Sequence, residues 1–345
     1  CVAHIGLILA KERKLRPVWS VTASLVLAFT MWAFMTTFKA PNPVLAQFRF
    51  SETLLKSVFL FFATLNILRT KNDIHLVLGS LVITFLGVGT ISIVQTLGVQ
   101  MANPQAELRL LGIGAFANAN DIAALMVLIF PLALVMMLKQ QEPKALRLAA
   151  LIVVCLSALS IYLSQSRGAM LSLGVAIALY GVLKLKNKKL TVIFALLAAL
   201  SVPALIVLSS SQRDSNDLAA SSSSRLTFIK TGIVMGAKNP VFGVGYESYP
   251  ENFERYATEI LHEWGERTAH NSWILAFSEL GLLGLILFTL IFYTVLKASI
   301  RIYPKHPEFL ISLAGYGAAM SFLSHTYLLY PYLLFALIGV ADEMA

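Results

Sequence analysis

His270-Asn271-Ser272-Trp273-Ile274-Leu275-Ala276-Phe277-Ser278-Glu279-Leu280-Gly281-Leu282-Leu283-Gly284 is the stretch that decides the fold. A His-Asn pair opens it, an apolar run follows, and Leu285 to Leu296 continues as almost pure hydrocarbon. A crossing needs about 20 apolar residues, so this is a membrane helix. At about 100° per residue, His270, Ile274, Phe277, Gly281, Gly284 and Phe288 share one face. The two glycines on it predict close approach of another helix. One titratable imidazole is thereby held where a packed helix meets the membrane surface, which makes His270 a candidate catalytic centre.

Composition agrees with a protein built for lipid. Of 345 residues, 57% are apolar and only 13% charged, where a soluble domain carries about 25% charge. The net charge of +9 does not point to nucleic acid, because the basic residues gather in short loops between apolar runs. That is the positive-inside pattern of an integral membrane protein. Cys155 lies within an apolar run and implies no disulfide framework. The chain starts at Cys1, and Val2 to Ala10 has the character of a span's tail, so we expect a truncated N-terminus.

Basic loops are expected at Lys11 to Arg16, Arg69 to Lys71, Lys139 to Arg147, Lys184 to Lys189 and Lys297 to Lys305. These five hold 16 of the 27 Lys and Arg, and two crossings separate each from the next. The spans expected between them are Pro17–Phe38, Thr53–Leu68, Ile74–Leu97, Phe116–Leu138, Leu148–Leu163, Ala169–Leu183, Leu190–Leu208 and His270–Leu296. The uncharged run Phe309 to Ala341 is divided by an external turn from His325 to Pro331. The predicted fold class is all-α: a polytopic integral membrane protein of about 10–12 transmembrane helices, one transmembrane domain over 1–345. Its one large external loop, 209–269, is expected to be mobile from Ser209 to Ser224. A helix should follow from Arg225 to Lys238, capped by Ser224, then a turn over Asn239 to Gly245. A surface helix is expected from Glu251 to Trp264.

Cations outside run against the positive-inside bias and ask for a reason. Arg167 sits in a short turn between two spans, beside Gly168. It reads either as an arginine snorkelling to headgroups or as a guanidinium fork for phosphate. Arg225, at the start of its helix, carries the same two readings. An imidazole titrating near 6.5 can accept a hydroxyl proton at neutral pH. Glu279 should pair with a neighbouring helix. His262-Glu263-Trp264-Gly265-Glu266 lacks the second histidine of a zinc-protease motif, so no metal site is expected. P-loop, GxSxG and CxxC patterns are absent from the sequence.

Taken together, His270-Asn271 with Gly281 and Gly284, the Asn118-Ala119-Asn120-Asp121 helix start, Ser166-Arg167-Gly168, and Arg225 before Asn239-Pro240 and Gly243-Val244-Gly245 resemble the O-antigen ligase and polymerase superfamily of bacterial envelopes. The resemblance covers roughly Gly112 to Gly284. It implies a GT-C-like helical glycosyltransferase of the inner membrane, with its active site on the periplasmic side. Such an enzyme moves a glycan from undecaprenyl pyrophosphate to the hydroxyl of a glycan or lipid-linked acceptor, without cofactor or metal and with inversion. By the resemblance, Arg167 and Arg225 hold the pyrophosphate and His270 is the general base. Asn271, Gly281, Gly284 and Asn120 are its supporting residues. The competing class is a small-solute or anion transporter of the bicarbonate type. That class would place polar residues at mid-bilayer on broken helices.

Overall fold

The computed structural model describes residues 18–105, 108–114, 118–184, 215–257 and 268–345. The expected span Leu190–Leu208, the basic loop Lys11 to Arg16 and the segment around His262 lie outside the described residues. What is described is all-α, an integral membrane protein of many helices. In chain order these are α1 (Val21–Thr37), α2 (Pro43–Glu52), α3 (Leu54–Ile67), α4 (Lys71–Ala102), α5 (Ala119–Leu138), α6 (Lys144–Leu163), α7 (Arg167–Lys184), α8 (Ser215–Lys238), α9 (Tyr249–Tyr256), α10 (Ser272–Ile302), α11 (Pro307–Met320) and α12 (Leu329–Glu343). Five helical segments among them are long and apolar enough to cross a membrane: Pro43–Ile67, Lys71–Ala102, Ala119–Leu138, Lys144–Leu163 and Ser272–Ile302.

Helix α5 is the core of one half, buried on nearly every side and packed against α6, α7 and α11. Small residues bring its neighbours close. A Cβ on Gly315 of α11 would stand 2.9 Å from Ala176 of α7 and 3.2 Å from Val127 of α5. Pro131 removes a backbone donor from the middle of α5. Three residues before it, the Ser312 hydroxyl donates to Leu128 O at 2.6 Å. Helix α10 organises the other half, in contact with α1, α8, α11 and α12.

Polar side chains pair at the end of the bundle that carries the basic loops. Lys139 reaches Glu308 at 3.3 Å, His75 reaches Glu142 at 2.5 Å, and Arg301 pairs with Asp342. The N-termini of α5, α7 and α10 and the C-terminus of α11 lie at the opposite end.

Several expectations are corrected. The segment left between the expected spans Pro17–Phe38 and Thr53–Leu68 contains α2, started by Pro43 and capped by the Asn42 side chain on Leu45 N. Ser224 is not a cap, because α8 begins nine residues earlier, at Ser215. The uncharged C-terminal run breaks from Ser321 to Leu328, and Pro331 lies inside the first turn of α12, where a missing N–H costs nothing.

The largest correction concerns α10. Gly281 has φ +70° and ψ −168°, which interrupts the helix, so His270 to Phe288 do not form one continuous face. The approach at Gly281 is made by the Asn239–Gly245 turn, not by a helix. A Cβ on Gly281 would collide with the carbonyl of Val241. The break frees backbone groups that lipid cannot satisfy, and four of them find partners outside the helix. Ser278 O accepts from Val244 N at 2.8 Å, and Glu279 O from Gly245 N at 3.0 Å. Leu282 N donates to Pro240 O at 2.8 Å, and Leu280 O accepts from the Trp32 indole at 2.8 Å. Gly284 leaves room for the Leu280 side chain, which folds over it. Helix-on-helix approach falls instead to Gly232 and Gly236 of α8, spaced small-xxx-small. Ile274 and Phe277 of α10 seat against those two glycines.

An alanine at 281 must hold a left-handed backbone and displace the Val241 carbonyl. We expect Gly281→Ala to lose about 1–3 kcal/mol or more, read as a lower thermal midpoint in detergent. Gly87→Ala, where a Cβ meets nothing within 4 Å, serves as the neutral control. Equal midpoints for the two variants would show that the break in α10 is absent.

Candidate functional site

The site assembles where α5, α7, α8 and α10 begin or pass the end opposite the basic loops. Asn271 is the N-cap of α10, its side chain accepting from Trp273 N and Ile274 N at 3.0 Å each. Its amide nitrogen donates to Ser321 O at 3.0 Å. His270 precedes the cap and lies off the helix, in a left-handed conformation with φ +48°. Non-glycine residues occupy that region uncommonly, and surrounding bonds must hold them there. They do so on both sides. Thr268 Oγ1 meets Ser324 Oγ at 2.6 Å. Ser272 Oγ donates to Leu323 O at 2.7 Å, and Thr326 Oγ1 donates to Ser272 O at 2.8 Å. The connection from α11 to α12 thus clamps the residues two before and two after His270.

The His270 ring is partly buried and packs on Phe228 of α8, with centroids 5.5 Å apart. Burial, then the neighbouring Arg225 guanidinium, lower its pKa from 6.5 to about 4, while the Asp121 carboxylate pulls the other way. The imidazole is therefore neutral at physiological pH, with a lone pair able to take a proton. Arg225 lies one turn before Phe228 on the same helix, so α8 supplies both the ring and the charge that face His270.

Arg167 is the first residue of α7. Ser166 precedes it, accepting from Met170 N through its carbonyl and from Ala169 N through its hydroxyl. A cation in a first helical turn opposes the macrodipole. An anion placed there would meet both the guanidinium and the free N–H groups of the helix. Among the described residues Arg167 makes no ion pair, and its neighbour Gly168 packs on Phe322, which a Cβ would approach to 2.7 Å. Gly168 and Asn271, the residues that follow Arg167 and His270, therefore meet the same strip of chain, Ser321-Phe322.

Of the supporting residues, Asn120 is buried in the first turn of α5, its N–H bonded to the Asn118 side chain at 2.9 Å. Gly281 and Gly284 stand about 15 Å or more along α10 from its cap, at 1.5 Å per residue. They shape the helix rather than the site. Glu279 accepts from Tyr249 N at 2.9 Å and from the Tyr327 hydroxyl at 2.8 Å, so it pairs with the neighbouring helix α9 and with the connection before α12.

Sequence reasoning missed the polar chain Asp121–His325–Tyr316. Asp121 Oδ1 lies 2.9 Å from His325 Nε2, and His325 Nδ1 lies 2.8 Å from the Tyr316 hydroxyl. A histidine in an otherwise uncharged run was a visible signal. Its partner, 204 residues earlier, was not.

Comparison with known proteins adds two matches. Residues 152–289 match the family model described as O-antigen ligase, a segment that includes Arg167, Arg225, His270, Gly281 and Gly284. Residues 1–105 match a family of unknown function. No curated protein matches the chain. Residues 152–289 thus carry the O-antigen ligase domain, and this match supports the resemblance to the O-antigen ligase and polymerase superfamily.

Proposed function

We propose that this protein transfers a glycan from undecaprenyl pyrophosphate to an acceptor hydroxyl at the outer face of the bacterial inner membrane, as an O-antigen or exopolysaccharide polymerase or an O-antigen ligase. At family level the chain is a membrane glycosyltransferase of that type. The observation that carries the finer reading is the grouping of a neutral, clamped His270 with Arg225 at the end of the bundle where α7 begins with Arg167.

In this reading Arg167 and Arg225 hold the diphosphate. The acceptor oxygen attacks the anomeric carbon from the face opposite the diphosphate. The bond from that carbon to the phosphate oxygen breaks with its electron pair, and the configuration inverts. The hydroxyl proton passes to the His270 imidazole. Both arginines stabilise charge growing on the departing polyprenyl diphosphate, which is a good leaving group without ATP or metal. A base so placed contributes about 10²–10⁴-fold.

Two measurements test this. In proteoliposomes carrying a polyprenyl-pyrophosphate glycan, transfer is expected to persist in EDTA. His270→Ala should lower kcat by about 10²–10⁴-fold. Arg167→Ala should raise the donor KM by about 10–100-fold, the worth of a charged hydrogen bond. Full activity in His270→Ala would remove the base assignment. Solute flux without transfer would replace the enzyme by a transporter.

The pH profile offers an independent check. His270 must be neutral to act, so activity falls as pH drops through its pKa. For kcat/KM, which reports the free enzyme, the acid limb is expected near the lowered value of about 4. Bound diphosphate offsets the Arg225 charge, so the kcat limb should lie at higher pH. Arg225→Gln removes a cation that depresses the imidazole and should move the kcat/KM limb upward, although burial keeps it below 6.5. A limb that stays put would separate Arg225 from His270.

A further inference from the structure

We propose that Asp121 binds a hydroxyl of the acceptor sugar, held in place for that task by the buried His325–Tyr316 pair. The inference rests on the glycosyltransferase reading above and deepens it.

The carboxylate is fixed by more than its own helix. Tyr316 belongs to α11, His325 to the connection after it, and Asp121 to the first turn of α5. Tyr316 is fully buried and His325 almost so, at 1% exposure. With Nε2–H directed at Asp121 Oδ1, His325 Nδ1 accepts from the Tyr316 hydroxyl, so the ring has one orientation and both its nitrogens are used. An acid in a first helical turn already suits the macrodipole and needs no buried histidine behind it. The histidine sets the carboxylate's direction.

One oxygen is left over. The Asp121 side chain is 33% exposed, and its Oδ2 makes no hydrogen bond among the described residues. The carboxylate faces His270 closely enough for its charge to act on the imidazole. The two groups also share a frame, because His325 N donates to Ser272 Oγ at 3.0 Å, two residues past His270. The connection that clamps His270 therefore orients Asp121 as well.

Charge then selects the ligand. An open carboxylate oxygen repels a diphosphate, and it accepts strong hydrogen bonds from neutral hydroxyls. With cations on the donor side and an anion beside the base, the hydroxyl group bound by Asp121 belongs to the acceptor. A sugar with two neighbouring hydroxyls fits, one bound by Asp121 and the other attacking through His270.

The experiment uses the full chain in lipid nanodiscs, with a lipid pyrophosphate-linked glycan as donor and a set of singly deoxygenated sugar acceptors. Asp121→Asn is expected to lower kcat/KM for the acceptor by about 10–100-fold while the donor KM stays within about twofold. One deoxy acceptor should lose the same factor with wild type and lose nothing further with Asp121→Asn. His325→Gln, which keeps the carboxylate but frees its direction, should show a smaller loss at that same position. It carries the test if Asp121→Asn does not fold. Equal deoxy penalties in wild type and variant, or a change confined to donor KM, would overturn the inference while leaving the glycosyltransferase reading intact. Absence of transfer by wild type would defeat that reading, and this one with it.

Discussion

A helix broken inside a bilayer has no water to receive its freed backbone groups, and that constraint shapes this protein around Gly281. Three carbonyls and one N–H around the interruption are taken up by the Asn239–Gly245 turn and by the Trp32 indole. Each such group left unpaired in hydrocarbon would cost several kcal/mol. The turn is therefore bound to α10 by its backbone, and α8, which leads into the turn, is carried to the face of α10 that Gly232 and Gly236 leave open. Arg225 and Phe228 reach His270 because α8 is held there.

The site itself is an arrangement of unlike charges in a partly dry place. Arg225 and burial keep the His270 imidazole neutral, while Asp121 opposes them. Electrostatic effects of this kind are far stronger at the rim of a low-dielectric bundle than in water. Arg167 stands where helix geometry disfavours a cation, a local conflict of the sort that functional sites tolerate. The left-handed His270 is another such conflict, and the bonds of Thr268 and Ser272 to residues 323–326 hold it.

Some residues singled out in the sequence play a different structural part from the one expected. Gly281 looked like a packing face because its spacing to Gly284 is helical, yet periodicity presumes a continuous helix and Gly281 interrupts one. The packing glycines lay unremarked in α8, within the helix expected from Arg225 to Lys238. Glu279, expected to pair with a neighbouring helix, takes a backbone N–H from α9 and the Tyr327 hydroxyl. In each case the residue type announced a requirement, and only the fold named the partner that met it.

The sequence by itself determined the class of the protein, the alternation of most of its spans and the position of His270 where a helix meets the loop before it. These are legible because the bilayer imposes a linear rule: about 20 apolar residues per crossing, charges between crossings, and a capping side chain beside its own helix. The tertiary structure decided the break at Gly281, the seat of α8 and the Asp121–His325–Tyr316 chain. Those depend on partners far apart in the chain, 248 residues for Trp32 and Leu280 and 204 for Asp121 and His325. A single sequence carries no local signal of such distances, because hydrogen bonds between remote segments obey geometry in space and leave no periodicity along the chain.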